Sequence, residues 1–234
     1  MRALFQRRFA LLAATLILSG TVIRSDGPLS AADHFDPPTR TDLAVNANAD
    51  VAADIADLYL FDVGRTATTP STPRAIGIAY GFAGPRPTSI SSTYDRDVLY
   101  TIFVSNDADR VTPEFKIQFR LGRDTTKAFA FGIRVEGLPG TSTPLIGPAE
   151  TMLTTANGIK VNVGLYDDPF NFDAMGLAET RTTGRLSIRN DRNRFGNMNT
   201  MAMNIEIPAN LILNGSNPIA LWATSARIPL GAAG

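Results

Sequence analysis

Seven aspartates crowd residues 33–62 of this 234-residue chain (Asp33, Asp36, Asp42, Asp50, Asp54, Asp57 and Asp62), against one arginine and no lysine or glutamate. Carboxylates at that density are the ligand type that a hard, oxygen-seeking cation such as calcium requires. Asp33, His34, Asp36, Asp54 and Asp57 are therefore the candidate metal ligands, with calcium as the first expectation. Asp107 with Asp109, or Asp167 and Asp168 with Asp173, could supply a second cluster. None of these has EF-hand spacing, and turn formation, strand capping and solubility are the plainer uses of the same acids. His34 is the only histidine. A chain processed after Ala31 would begin Ala32-Asp33-His34, whose amine, amides and imidazole make a square-planar site for copper(II), the second expectation.

Other constellations offer less. In Asp168-Pro169-Phe170-Asn171-Phe172-Asp173, two rings two residues apart point to one side of an extended segment. They could form the lip of a ligand pocket, or simply pack into the core. Arg181, Arg185, Arg189, Arg192 and Arg194 are opposed locally only by Asp191. Such a cluster could clamp an anion, pair with the acidic segment or be solvated. One histidine near the start of the mature chain, with no Gly-x-Ser-x-Gly elbow, argues against a serine triad. No cysteine is present, which excludes disulfides, thiolate metal sites and cysteine nucleophiles.

The elements that must position these groups are strands. Of 22 acids 17 are aspartate, and of 22 bases 19 are arginine. Residues that normally fill exposed helix faces, Glu and Lys, are scarce, while Gly (19) and Pro (15) are plentiful. Period-two alternation runs through Tyr100–Val104, Phe115–Phe119, Phe129–Val135, Ile159–Val163 and Met201–Ile207. Leu58–Phe61, Ala75–Phe82 and Ile219–Ala226 read as further strands, and Asn157-Gly158 as a tight hairpin turn. About eight strands result, with short helical turns near 172–178 and 208–213. That pattern predicts an all-β chain folded as an antiparallel β-sandwich, or alternatively as a closed or partly open barrel.

The first 32 residues read as an address. Arg2, Arg7 and Arg8 precede a mostly apolar run of about fifteen residues, and Ser30-Ala31-Ala32 offers small residues for cleavage. That run is short for a membrane span. Residues 33–234 then form one domain with an extended acidic N-terminal segment, 33–57. The formal charge is zero, which removes the electrostatic case for nucleic acid.

Ala32-Asp33-His34-x-Asp36-x-Pro38 followed by Asp54-Ile55-Ala56-Asp57-Leu58-Tyr59-Leu60-Phe61 resembles the opening of a bacterial exported family catalogued only as domain of unknown function 4331. Asn106-Asp107-Ala108-Asp109 running into Phe115–Phe119, the Asp167–Asp173 run and Leu221-Trp222-Ala223-Thr224-Ser225 are similar to that family too. The resemblance implies an exported, mainly β domain and brings no activity with it. The combined expectation is a periplasmic or extracellular module of the cell envelope, binding a small ligand or an envelope component. It has no transmembrane segment once the address is removed. The alternative is an envelope hydrolase using paired carboxylates, Asp168 with Asp173 or with Asp57.

Overall fold

The computed structural model describes residues 46–47, 49–64, 74–123, 126–127 and 130–227. Ten strands build two antiparallel sheets facing each other across one core. The first sheet is ordered β1-β2-β9-β8-β7, from Ile55–Val63, Ala75–Pro87, Met198–Pro208, Lys160–Asp167 and Leu153–Thr154. The second is ordered β10-β3-β4-β5-β6, from Ala220–Arg227, Val98–Ser105, Phe115–Arg123, Phe131–Glu136 and Leu145–Pro148. Both sheets are open, so the architecture is the sandwich and not the barrel. Among the described residues the count is ten strands where alternation predicts eight. The two additions, β6 and β7, are four and two residues long and too short to show a period. Phe129, expected to begin β5, lies outside the described residues.

Alternation decides which face of each strand is buried. On β2, Ile76, Ile78, Tyr80 and Phe82 are almost fully enclosed; across from them stand Met201, Met203, Ile205 and Ile207 of β9. The second sheet answers with Tyr100 and Ile102 of β3 and Ile117 and Phe119 of β4. Four rings lock the sheets together. Phe82 lies 4.5 Å from Tyr100, and Tyr80 meets Phe119 edge-on at 5.5 Å. Each such pair adds about 0.5–1.5 kcal/mol beyond the area it buries.

Helix is confined to the margins, as the scarcity of Glu and Lys requires. A 3-10 turn, Val51–Ala53, precedes β1 inside the acidic N-terminal segment. Helix α1 spans Ala174–Thr183 and α2 spans Ala209–Ile212, overlapping the two helical turns expected. No helix among the described residues is long and apolar enough to cross a membrane.

Candidate ligand-binding groove

The outward parity of the first sheet is unusual in what it lacks. Gly77, Ala79 and Gly81 alternate with the core residues of β2, and Ala202 of β9 pairs with Gly81 on one side and with Gly164 of β8 on the other. Small side chains on neighbouring strands leave a trough. Adjacent strands lie about 4.8 Å apart, so β1 and β8, three steps apart, flank a floor about 14 Å across. Aromatic rings rise from both flanks: Tyr59 and Phe61 from β1, Tyr166 from β8. The resulting groove has a volume of about 470 Å³.

Sequence explains each wall. Phe61 pairs with Gly77, and its ring lies over that glycine so closely that a Cβ there would sit 2.3 Å from it. A β-bulge between Ile55 and Leu58 brings the β1 backbone over Gly81, where a Cβ would meet the Asp57 nitrogen at 3.3 Å. Phe61 is half exposed and Tyr166 nearly so. Rings presented to solvent beside a glycine and alanine floor are surfaces on which a flat ligand can lie.

The two ends of the groove differ in charge. At one end Asp57, Asp167 and Pro169 close the lining. Asp57 is buried and accepts a hydrogen bond from the Tyr59 hydroxyl at 2.7 Å. Burial, that hydrogen bond and the charges of Asp57 and Asp168 push the Tyr59 phenol well above its ordinary range, so it stays a proton donor. At the other end Glu206 of β9 holds Lys160 at 3.1 Å and Arg74 at 3.6 Å. Between the ends, Thr200 and Asn204 supply the polar lining, and the Tyr166 hydroxyl donates to Asn162.

The residues singled out in the sequence distribute over several places. Asp33, His34 and Asp36 lie outside the described residues. Asp54 follows the 3-10 turn, its backbone N–H bonded to the Val51 carbonyl, and Asp57 belongs to the groove. Among the described residues, no three His, Cys, Asp or Glu side chains are grouped so as to hold a metal ion. Asp107 and Asp109 are engaged in the β3–β4 turn. The Asp109 carboxylate accepts the Thr112 and Val111 amides at 2.9 and 2.8 Å, and these bonds hold its pKa down to about 2.

Asp168 is buried and accepts the Phe170 amide at 2.9 Å. Phe170, expected at a ligand lip, sits 5.6 Å from Phe172 and 5.3 Å from Phe195. Asp173, almost wholly enclosed, caps α1 through the Gly176 amide at 2.8 Å, takes the Arg189 amide at 2.9 Å and pairs with Arg192 at 2.7 Å. Burial alone would raise its pKa; the two amides and Arg192 outweigh that and hold it low. A Cβ on Gly176 would fall 2.2 Å from the Asp173 carboxylate. Asp173 is thus held by groups of its own loop, Asp57 accepts from the Tyr59 hydroxyl, and the charge of Asp168 helps to raise that phenol's pKa.

The groove itself had a signal in the sequence, in the unread parity of β2: Gly77, Ala79 and Gly81 alternate as regularly as the core residues between them. Its flanking Tyr166 and its Asn204 had none, because cross-strand register sets which residues face each other.

No protein-family model matches this chain, and no curated protein or solved structure matches it.

Proposed function

We propose that this chain is an exported, non-catalytic binding module of the cell envelope whose groove holds the pyranose rings of a glycan. The observation that carries the reading is the pairing of rings, exposed Phe61 and half-buried Tyr59 on one flank and exposed Tyr166 on the other, over a floor too small to fill the space between them. A pyranose has two apolar C–H faces and a polar rim. Its faces match the rings, and its hydroxyls match the edge groups Asn204, Thr200, Asp57 and Asp167. Among the described residues, none of those lining the groove is cationic, which disfavours an anionic ligand there. Residues 1–32 act as the export address in this reading.

Calorimetric titration with two soluble probes, cellohexaose and chitohexaose, tests it. At least one should bind, and Ala79→Trp, which fills the floor from an outward position, should abolish binding without lowering the melting temperature. Tyr166→Ala should weaken it about tenfold, the loss of one stacked ring at about 1–1.5 kcal/mol. Failure of both probes to bind, or unchanged binding by Ala79→Trp, overturns the assignment.

One observation favours a second reading: at the end of the groove Asp57 accepts from the Tyr59 hydroxyl at 2.7 Å, and the charge of Asp168, also buried, bears on the same phenol. Two carboxylates converging on one site are the equipment of a glycoside hydrolase. Release of reducing ends from these oligosaccharides, lost in both Asp57→Asn and Asp168→Asn, would select it over pure binding; no release by the parent protein rules it out.

A further inference from the structure

The connection between β8 and β9 is thirty residues long in a fold whose other connections are mostly short, and it concentrates charge. Its five arginines stand against Asp168, Asp173, Glu179 and Asp191, a net of +1; Asp168 and Asp173 are buried, so the acids near its surface are Glu179 and Asp191 alone. Two of the five are committed: Arg192 to Asp173 and Glu179, Arg189 to Asp191. Arg181, Arg185 and Arg194 are exposed and form no ion pair with any described residue. The same excursion presents Leu186 at 83% exposure, Met175 at 62% and Ile188 at 42%.

Backbone geometry explains why the apolar pair faces outward. The Ser187 amide donates to the Thr180 hydroxyl at 2.9 Å, and its carbonyl accepts from Arg192 at 2.8 Å, so Ser187 is tied back against α1. In an extended segment its neighbours point the other way, which turns Leu186 and Ile188 away from the helix that would have covered them. The Asp173 hub fixes this arrangement from beneath through the Arg189 amide.

We infer that this excursion docks on an anionic lipid surface, with Arg181, Arg185 and Arg194 at the headgroups and Met175, Leu186 and Ile188 entering the interface. Charge complementarity selects an anionic partner. The apolar side chains select a bilayer over a soluble polyanion, because they gain only where water is replaced by hydrocarbon. This surface is independent of the groove, and its failure would leave the glycan reading untouched.

The chain has no cysteine, so Leu186→Cys can carry the only environment-sensitive dye on the whole protein. Val111→Cys, at a site 73% exposed in the β3–β4 turn, is the control. With vesicles of phosphatidylcholine containing phosphatidylglycerol, the dye at 186 should shift to the blue and escape an aqueous quencher, while the dye at 111 should not. Pure phosphatidylcholine or high salt should remove the effect. Arg181→Gln with Arg185→Gln and Arg194→Gln should weaken vesicle binding on the order of a hundredfold, each cation near an anionic surface being worth about fivefold. Ile188→Ser should weaken it at unchanged salt dependence. The inference is overturned if the dye at 186 stays in water, if both positions shift alike, or if duplex DNA or heparin produces the same blue shift without lipid.

Discussion

Two buried tyrosines make the same contribution of ring and differ in what their hydroxyls meet. Tyr100 donates to the Ala52 carbonyl at 2.5 Å, tying the 3-10 turn to β3. The Tyr80 hydroxyl, equally buried in the neighbouring layer, has no hydrogen-bond partner among the described residues. An orphaned buried hydroxyl costs about 1–3 kcal/mol, whereas a satisfied one contributes about 1 kcal/mol net. Tyr80→Phe should therefore leave stability unchanged or raise it by up to about 2 kcal/mol, and Tyr100→Phe should lower it by about 1 kcal/mol and leave the Ala52 carbonyl bare. Urea unfolding of the two variants against the parent gives both signs. Equal losses from the two would mean that the Tyr80 hydroxyl is in fact satisfied.

Elements divide by how much of their fate is local. β3, β4, β8 and β9 alternate cleanly enough that chain order and Asn/Asp turns foretell them, and the first hairpin is secured by Asp109 as turn chemistry requires. β6 and β7 owe their existence to tertiary pairing with β5 and β8, for which four and two residues carry no period. Phe170 of the Asp168–Asp173 run meets Phe195, more than twenty residues later, at 5.3 Å, a contact that spacing within the run could not foretell.

The N-terminal turn is another such case. Arg227, at the end of β10, reaches Asp50 at 2.7 Å and Asp95 at 3.0 Å, and Ser225 donates to the Ala53 carbonyl. Arg227 holds the Asp50 carboxyl below its usual range. A carboxylate whose folded pKa is depressed lends stability above its unfolded value, here 3.8, and loses it as pH falls through the lower folded one. Because both partners are substantially exposed, Arg227→Gln should cost about 0.5–1 kcal/mol at pH 7. The difference between variant and parent, followed by thermal melts from pH 7 downward, should close as the pH drops below 3.8 and should also shrink in high salt. A difference that stays constant through acid would assign the loss to packing of the arginine stem instead.

At the scale of the whole molecule, the question is whether two sheets and their appendages unfold as one body. Trp222, the single tryptophan, stands on the outer face of edge strand β10, stacked on Phe103 at 5.5 Å. An edge strand is the first place a sheet frays, and this chain exceeds the size at which single domains are routinely two-state. Three features oppose fraying. β10 pairs with β3 through eight residues, its Leu221 and Ala223 face the common core, and Arg227 and Ser225 strap its end to the turn that leads into β1 of the other sheet. Unzipping β10 alone would break all three sets at once while leaving the four-ring core exposed on one side. Trp222 fluorescence and far-ultraviolet circular dichroism should therefore report the same denaturation midpoint in the parent protein. In Arg227→Gln the fluorescence transition should move ahead of the dichroism, since the strap is the one restraint that acts only on the end of the strand. Separate midpoints already in the parent would make β10 its own cooperative unit, held by its edge hydrogen bonds more than by the core beneath it.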